Sequence, residues 1–362
     1  MRSFIACLYA QLFLVFAANS AWASSTDLQK LIENAPLENG VSTSIHAAQL
    51  THYLEQNGYL LATVSIMEDG RLHVDPGFVS GVKITGLRPD TEAHAREIIL
   101  AEISDVPSEK GLDRALALIN DMPGVSASFA LEHGDDGNYE LYVSGTDTPQ
   151  HGGISIDNIP GEIGQEHRLN LHQNINGLMT GGDILRLQAI WVEGDNSANQ
   201  RSILASYQFP IGTEGGFAEL GAGDFRTKTE VHGRSTAYTT GFGTVIVPGG
   251  VSSHNFEGQN YYVNGGFPIR RSHDEALYLL GQVDYSVDET DGIGESNVTH
   301  GDIGAFYSYQ QPDGESFHLG GYIGSGYYDS YIAGEDSNYW SAEFAAAYIT
   351  PLSSINRFTE LR

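Results

Sequence analysis

The chain has 362 residues, and 46 acidic against 18 basic side chains give it a net charge of −28. That balance excludes a nucleic-acid partner, because phosphate binding requires clustered Lys and Arg. The 43 glycines and 19 tyrosines suit an antiparallel sheet better than a helical bundle, and the length allows more than one domain.

Residues 1–23 read as a secretory signal peptide. Arg2 supplies the positive end, Phe4 to Ala18 the apolar run, and Ala21-Trp22-Ala23 a small-residue cleavage site. The run contains Gln11 and is shorter than the ~20 residues a spanning helix needs. The only cysteine, Cys7, lies inside it, so no disulfide is expected in the mature chain. No later stretch approaches a spanning helix, and a membrane role would therefore require a barrel.

A short helix is expected from Thr26 to Asn34 and an amphipathic one from Ser44 to Asn57, stopped by Gly58. The runs GYLLATVSI and RLHVD read as two strands joined at Glu68-Asp69-Gly70. Val82 to Thr85 reads as a strand, Asp90 to Ile103 and Ser108 to Asn120 as helices, and Pro123-Gly124 as a stop. Strands Ser126 to Glu132 and Tyr139 to Ser144 follow, around a turn at Gly134 to Gly137. The order β-α-α-β-β makes a small α+β unit.

From His151 the period changes to two. Leu169, Leu171 and Ile175 alternate with Arg168, Asn170, His172 and Asn174; after a turn at Gly177 to Asp183, Leu185, Leu187, Ala189 and Trp191 oppose Arg186 and Gln188. A soluble sandwich and an outer-membrane barrel both alternate in this way, and differ in which face meets water. Further runs lie at Ile203 to Phe209, Phe217 to Phe225, Ala237 to Val247, Tyr261 to Phe267, Leu277 to Tyr285, Ile303 to Tyr309, Phe317 to Ile323 and Trp340 to Tyr348. The count is roughly eleven barrel-type strands. The Gly-, Asp- and Ser-rich stretches Val287 to Thr299 and Tyr327 to Asn338 read as loops.

The β-α-α-β-β order, with IND-MPGV opening the first of its last two strands and GNYELYV closing the unit, resembles a POTRA (polypeptide-transport-associated) domain. The preceding GYLLATVSI and DGRLHVDPGFVSGVKITGL resemble the second half of another. DNIPGEIGQEHRLNL and GGDILRLQAIW resemble the first barrel strands of two-partner secretion transporters, the haemolysin secretion/activation family of the POTRA-barrel superfamily. The resemblance implies a mainly β chain with an N-terminal α+β region: a shortened POTRA-like segment over 24–77, a POTRA domain over 78–148 and an antiparallel transmembrane β-barrel over 149–362. It places the barrel in the outer membrane, in contact with its lipid, with the N-terminal part in the periplasm. It also implies export or activation of a haemolysin- or adhesin-like partner protein. A barrel-assembly factor of the same superfamily and a surface adhesion barrel are the alternatives. The sequence lacks the family's Val-Arg-Gly-Tyr-like motif and its aromatic terminal strand. The barrel is therefore expected to be incomplete, with a closed barrel of about twelve strands as the alternative.

No G-x-S-x-G elbow, H-E-x-x-H helix or P-loop occurs, so neither an enzyme nor a cofactor is expected. His167 and His172 fall on opposite strand faces, which argues against a metal pair. Asp284, Asp288, Glu289, Asp291 and Glu295 lack calcium-loop spacing and read as a solvated loop. Two sets remain. The resemblance makes Tyr139 and Tyr142 partner-binding candidates, on a strand edge that could accept an extended segment, while Leu141 between them packs on the helices. Arg168, Asn170, His172, Asn174, Arg186 and Gln188 would line the lumen if the sheet closes.

Overall fold

The computed structural model describes residues 25–37, 41–103, 107–133, 138–161, 164–194, 199–231, 236–240, 243–247, 252–291, 294–312, 314–330, 337–352 and 357–359. The signal-peptide reading of residues 1–23, with Cys7, and the turn at Gly134 to Gly137 lie outside them. No helix among the described residues is long and apolar enough to cross a membrane, which says nothing of crossing by strands.

The first unit pairs helices α1 (Ser25–Glu33) and α2 (Thr43–Gln56) with the hairpin β1 (Thr63–Ile66) and β2 (Leu72–Asp75). Leu28, Leu50, Leu54, Tyr59 and Ala62 form its small core. The hairpin turn is closed by Asp69, which accepts from the backbone and the guanidinium of Arg71 at 3.0 and 2.6 Å. The GYLLATVSI run is a strand only from Thr63 onward. Tyr59 to Ala62 form a turn instead, with Tyr59, Leu61 and Ala62 buried. A short apolar run can serve a core equally well in either conformation.

The second unit follows the expected order: β3 (Val79–Thr85), α3 (Pro89–Glu102), α4 (Glu109–Asn120), β4 (Val125–His133) and β5 (Tyr139–Asp147). Pro89 opens α3, where its missing N–H costs nothing. Ser108 caps α4 by accepting from the Gly111 N–H at 3.1 Å. Both helices lie on one face of a three-stranded sheet of order β3-β5-β4. Ile98, Ile99, Ala115, Leu118 and Ile119 meet Leu141 and Val143 there. Burial of each large side chain contributes about 1.5–3 kcal/mol.

The rest of the chain is one antiparallel sheet. Its strands are β6 (Gln150–Gly161), β7 (Gly164–Asn176), β8 (Ile184–Gly194), β9 (Asn199–Ile211), β10 (Gly216–Val231), β13 (Ser252–Arg271), β14 (Glu275–Thr290), β15 (Gly294–Gln310), β16 (Ser316–Ser330), β17 (Ser337–Leu352) and the short β18 (Arg357–Thr359). They neighbour one another in chain order from β6 to β18, making eleven strands with β6 and β18 at the two edges. A separate hairpin, β11 (Thr236–Thr240) and β12 (Gly243–Val247), interrupts the sequence but not the sheet, because β10 pairs directly with β13.

The eleven expected strands are thus differently composed. The run Ala237 to Val247 forms the separate hairpin, while β6 and β18 complete the number. The loop expected at Val287 to Thr299 is largely strand; of that expected at Tyr327 to Asn338, residues 327–330 and 337–338 are strand and 331–336 lie outside the described residues. The ladder of β14 and β15 continues to Thr290 opposite Gly294, and that of β16 and β17 to Tyr328 opposite Ser337. Polar residues continue a ladder when both strand faces meet water, so composition alone does not mark where these strands end.

Candidate functional site

Residues directly opposite in an antiparallel ladder share a face, so register sorts the side chains of the whole sheet. One face is apolar across β6 to β17. Ile203 and Ile323 are 60 and 69% exposed, Phe344 and Trp340 73 and 85%. Leu169, Leu187, Leu220, Val263, Leu279 and Tyr307 stand on the same face. An exposed apolar surface of this extent requires an apolar neighbour.

The opposite face is polar. All six candidate residues of β7 and β8 lie on it: Arg186 opposes Asn174, Gln188 opposes His172, and Arg168 and Asn170 continue the row. The Arg186 guanidinium donates to Glu219 at 3.1 Å and to Gln208 at 2.9 Å. Glu219 also accepts from the Tyr262 hydroxyl at 3.2 Å and the Asn264 amide at 3.3 Å. The Glu219 carboxylate therefore joins β8, β10 and β13, and the Arg186 guanidinium ties in β9 through Gln208. Gln188 donates to Asn170 at 3.2 Å, His172 lies 5.9 Å from the ring of His151, and Arg168 is exposed opposite Asp157.

Farther along this face, His300 lies between two carboxylates, with Nε2 3.1 Å from Asp302 and Nδ1 3.8 Å from Asp284. Ser341 stands 2.9 Å from the same Nε2. The acidic stretch expected to be a loop is therefore mostly ladder. Asp284 belongs to this strand-borne cluster, and Glu289 faces Glu295 directly across the β14–β15 pair. Asp284, His300 and Asp302 bring one ligand atom each within 4.8 Å of one another, fewer than the four of a closed zinc site.

The second unit is fixed to one end of the sheet. Asp121, just past α4, accepts two hydrogen bonds from Arg271 of β13, both 2.7 Å, and one from the Tyr278 hydroxyl of β14 at 2.9 Å. Asp113 accepts from the His273 N–H at 3.0 Å, and Arg114 donates to the Glu214 carbonyl at 3.3 Å. Asn176 donates to the Thr148 carbonyl at 2.8 Å. The β7–β8, β9–β10 and β13–β14 turns all meet this unit. The fit is close: a Cβ on Gly181 would stand 2.3 Å from the Asp90 carbonyl oxygen, and one on Gly215 2.4 Å from Leu118.

Two buried carboxylates stiffen the two sides of this junction, Asp183 in the sheet and Asp147 in the second unit. Asp183 accepts from the backbone N–H groups of Leu178, Met179 and Thr180 and from the Tyr207 hydroxyl at 2.6–2.8 Å. Burial pushes its carboxyl up, but the phenol and the three N–H groups outweigh burial and hold it below the usual carboxylate range. Asp147 is treated alike. Burial raises it, and Arg88 at 2.8 and 3.0 Å with Thr91 at 2.7 Å brings it below that range. Sequence reasoning missed both residues. The signal that could have found Asp183 is an Asp ending a Thr-Gly-Gly turn, where its side chain competes for turn N–H groups.

Tyr139 and Tyr142 do not stand on a sheet edge. Both belong to β5, the central strand, whose two sides are occupied by β3 and β4. Strand addition on this sheet is open only along β3 or β4. Tyr142 instead lies on the face away from the helices, where Lys83 donates to its hydroxyl at 3.0 Å and to Glu140 at 2.6 Å. Tyr139 packs beside the His133 ring at 4.9 Å.

No family model matches the chain, and no curated protein matches it. Solved structures do. CdiB from Acinetobacter baumannii aligns with a TM-score of 0.64 at 17% identity, and CdiB from Escherichia coli with 0.64 at 14%. Each alignment covers 93% of this chain and 64% of the other, so the chain spans just under two thirds of either protein. Over that 93% the chain shares its fold with these proteins.

Proposed function

We propose that this chain is an outer-membrane transporter of the two-partner secretion class, passing an unfolded haemolysin- or adhesin-like partner protein across the membrane without nucleotide hydrolysis. The observation that carries the reading is the two-faced sheet with an α+β unit clasped to its turn end. The apolar face meets lipid, and the polar face, with Arg186, Gln188, Asn170, His172, Asn174 and Arg168, provides a wetted path. The motif order of the sequence and the fold shared with CdiB support it.

In this orientation the two N-terminal units stand in the periplasm as POTRA domains and receive the partner. Strand addition would use the free side of β3 or β4, with Tyr142 beside that path on the solvent face. No step forms or breaks a covalent bond.

Two measurements test the reading. The chain, expressed with its N-terminal segment, should fractionate with the outer membrane and shift in gel mobility on boiling, which requires the two edges of the described sheet, β6 and β18, to be closed there. Co-expressed with the exoprotein encoded beside it, it should move that protein to the medium. An exoprotein that stays periplasmic with and without the chain would sink the export role, and an outer membrane depleted of other barrels without the chain would favour an assembly role instead.

A further inference from the structure

The apolar face ends in a cluster of cations on two strands only. Trp191, Arg201, Arg226 and Glu257 form one row across β8, β9, β10 and β13, and Lys228 stands two residues beyond Arg226 on the same face. Arg201 and Arg226 are direct cross-strand neighbours, an arrangement of like charges that destabilises a ladder. Neither Arg201 nor Lys228 has a carboxylate within ion-pair range among the described residues. Arg226 has only loose contacts to Asp224 at 3.7 Å and Glu257 at 3.5 Å and stays 45% exposed. Glu193 and Asp224 share this face, diagonal to Arg201 and two residues from Arg226 along β10, and Glu257, Glu289 and Glu295 continue the row on β13 to β15, so the three cations form a local set interspersed with carboxylates. Ile203, two residues from Arg201 toward the band, is 60% exposed, and the cations stand around a solvent-open groove with Trp191.

We infer that Arg201, Arg226 and Lys228 bind the phosphate groups of an acylated, phosphorylated lipid of the outer leaflet, whose chains lie against Ile203 and Trp191. The site rests on the membrane-spanning orientation proposed above, which puts this end of the strands opposite the periplasmic unit. A dianionic headgroup would relieve the repulsion of the facing arginines, and guanidinium forks match phosphate oxygens. An interfacial Trp beside them fits the headgroup level.

The test uses the full chain in detergent with two probes, diphosphoryl lipid A and its dephosphorylated form, and follows retention by native mass spectrometry. The phosphorylated lipid should bind more tightly, by roughly fivefold for each cation engaged. The triple variant R201Q/R226Q/K228Q should lose that preference while keeping its heat-dependent gel shift. Equal retention of both lipids by the wild-type chain overturns the site, whatever the variant does. So does a variant that keeps the preference, or displacement of the lipid by inorganic phosphate alone. A chain that never enters the outer membrane and shows no gel shift overturns the membrane reading itself, and the site falls with it. An inserted, heat-modifiable chain indifferent to lipid phosphate fails the site alone.

Discussion

Asp183 concentrates the chemistry of the β7–β8 turn in one buried carboxylate that accepts from three backbone N–H groups and a phenol. Replacing it with Ala should destabilise the junction by about 3 kcal/mol, since three backbone N–H groups and a phenol would lose a charged partner. Asp183 and Asp147 both have lowered folded values, so their stabilisation is present above the unfolded carboxylate value near 3.9. It is lost as pH falls through the folded values. Thermal unfolding of the detergent-solubilised chain should therefore hold steady down to about pH 4 and drop below it, and D183N should flatten the drop. A chain whose midpoint falls equally in wild type and D183N would remove Asp183 from that account. Glu102 runs the opposite way: burial raises its carboxyl and outweighs the lowering by the Arg114 guanidinium, so protonation there offsets part of the acid loss. Neither Asp183 nor Asp147 stands out in the sequence, because what marks them is the set of donors around them, and Arg88 lies 59 positions from Asp147.

Among the elements, alternation made the strands legible and left their pairings hidden. Leu169 to Trp191 announce two strands and a turn because hydrophobic period and turn glycines coincide there. Nothing local announces that Asp121 and Arg271, 150 positions apart, form a bidentate pair. The central place of β5 was equally hidden, since a parallel β3–β5 pairing across two helices leaves no adjacent sequence signal. The clasp is testable by charge reversal. Arg271→Glu should loosen the unit from the sheet by about 1 kcal/mol, read as faster protease cleavage near Thr148. Asp121→Arg combined with Arg271→Asp should restore protection, and no rescue would mean that packing at Gly181 and Gly215 holds the unit alone. In the core beneath, Leu141→Ala should cost about 2–5 kcal/mol, because both helices close on that side chain.

On the scale of the whole molecule, the two faces of the sheet make opposite demands on substitution. Phe344→Arg or Ile323→Arg places a charge where lipid is proposed and should cost about 2–4 kcal/mol near mid-membrane, measured as loss of the outer-membrane fraction. Gln188→Lys, on the polar face, should leave insertion intact. Equal effects would mean that the apolar face is covered by something other than lipid. The strands also outrun the membrane. On β13 the apolar face spans Tyr261 to Phe267, and the residues from Ser252 to Gln259 beyond it carry Asn255, Glu257 and Gln259 on the same side. The same holds past Tyr285 on β14 and before Ile303 on β15. About eight residues at ~3.3 Å each, tilted by ~45°, rise roughly 20 Å above the hydrocarbon. In the proposed orientation β13 to β16 thus form a water-wetted palisade on the cell surface, reaching past the sugars of neighbouring lipids. Antibodies, phages and surface proteases would meet an acidic fence of paired strands there, with Glu257, Glu289 and Glu295 along it.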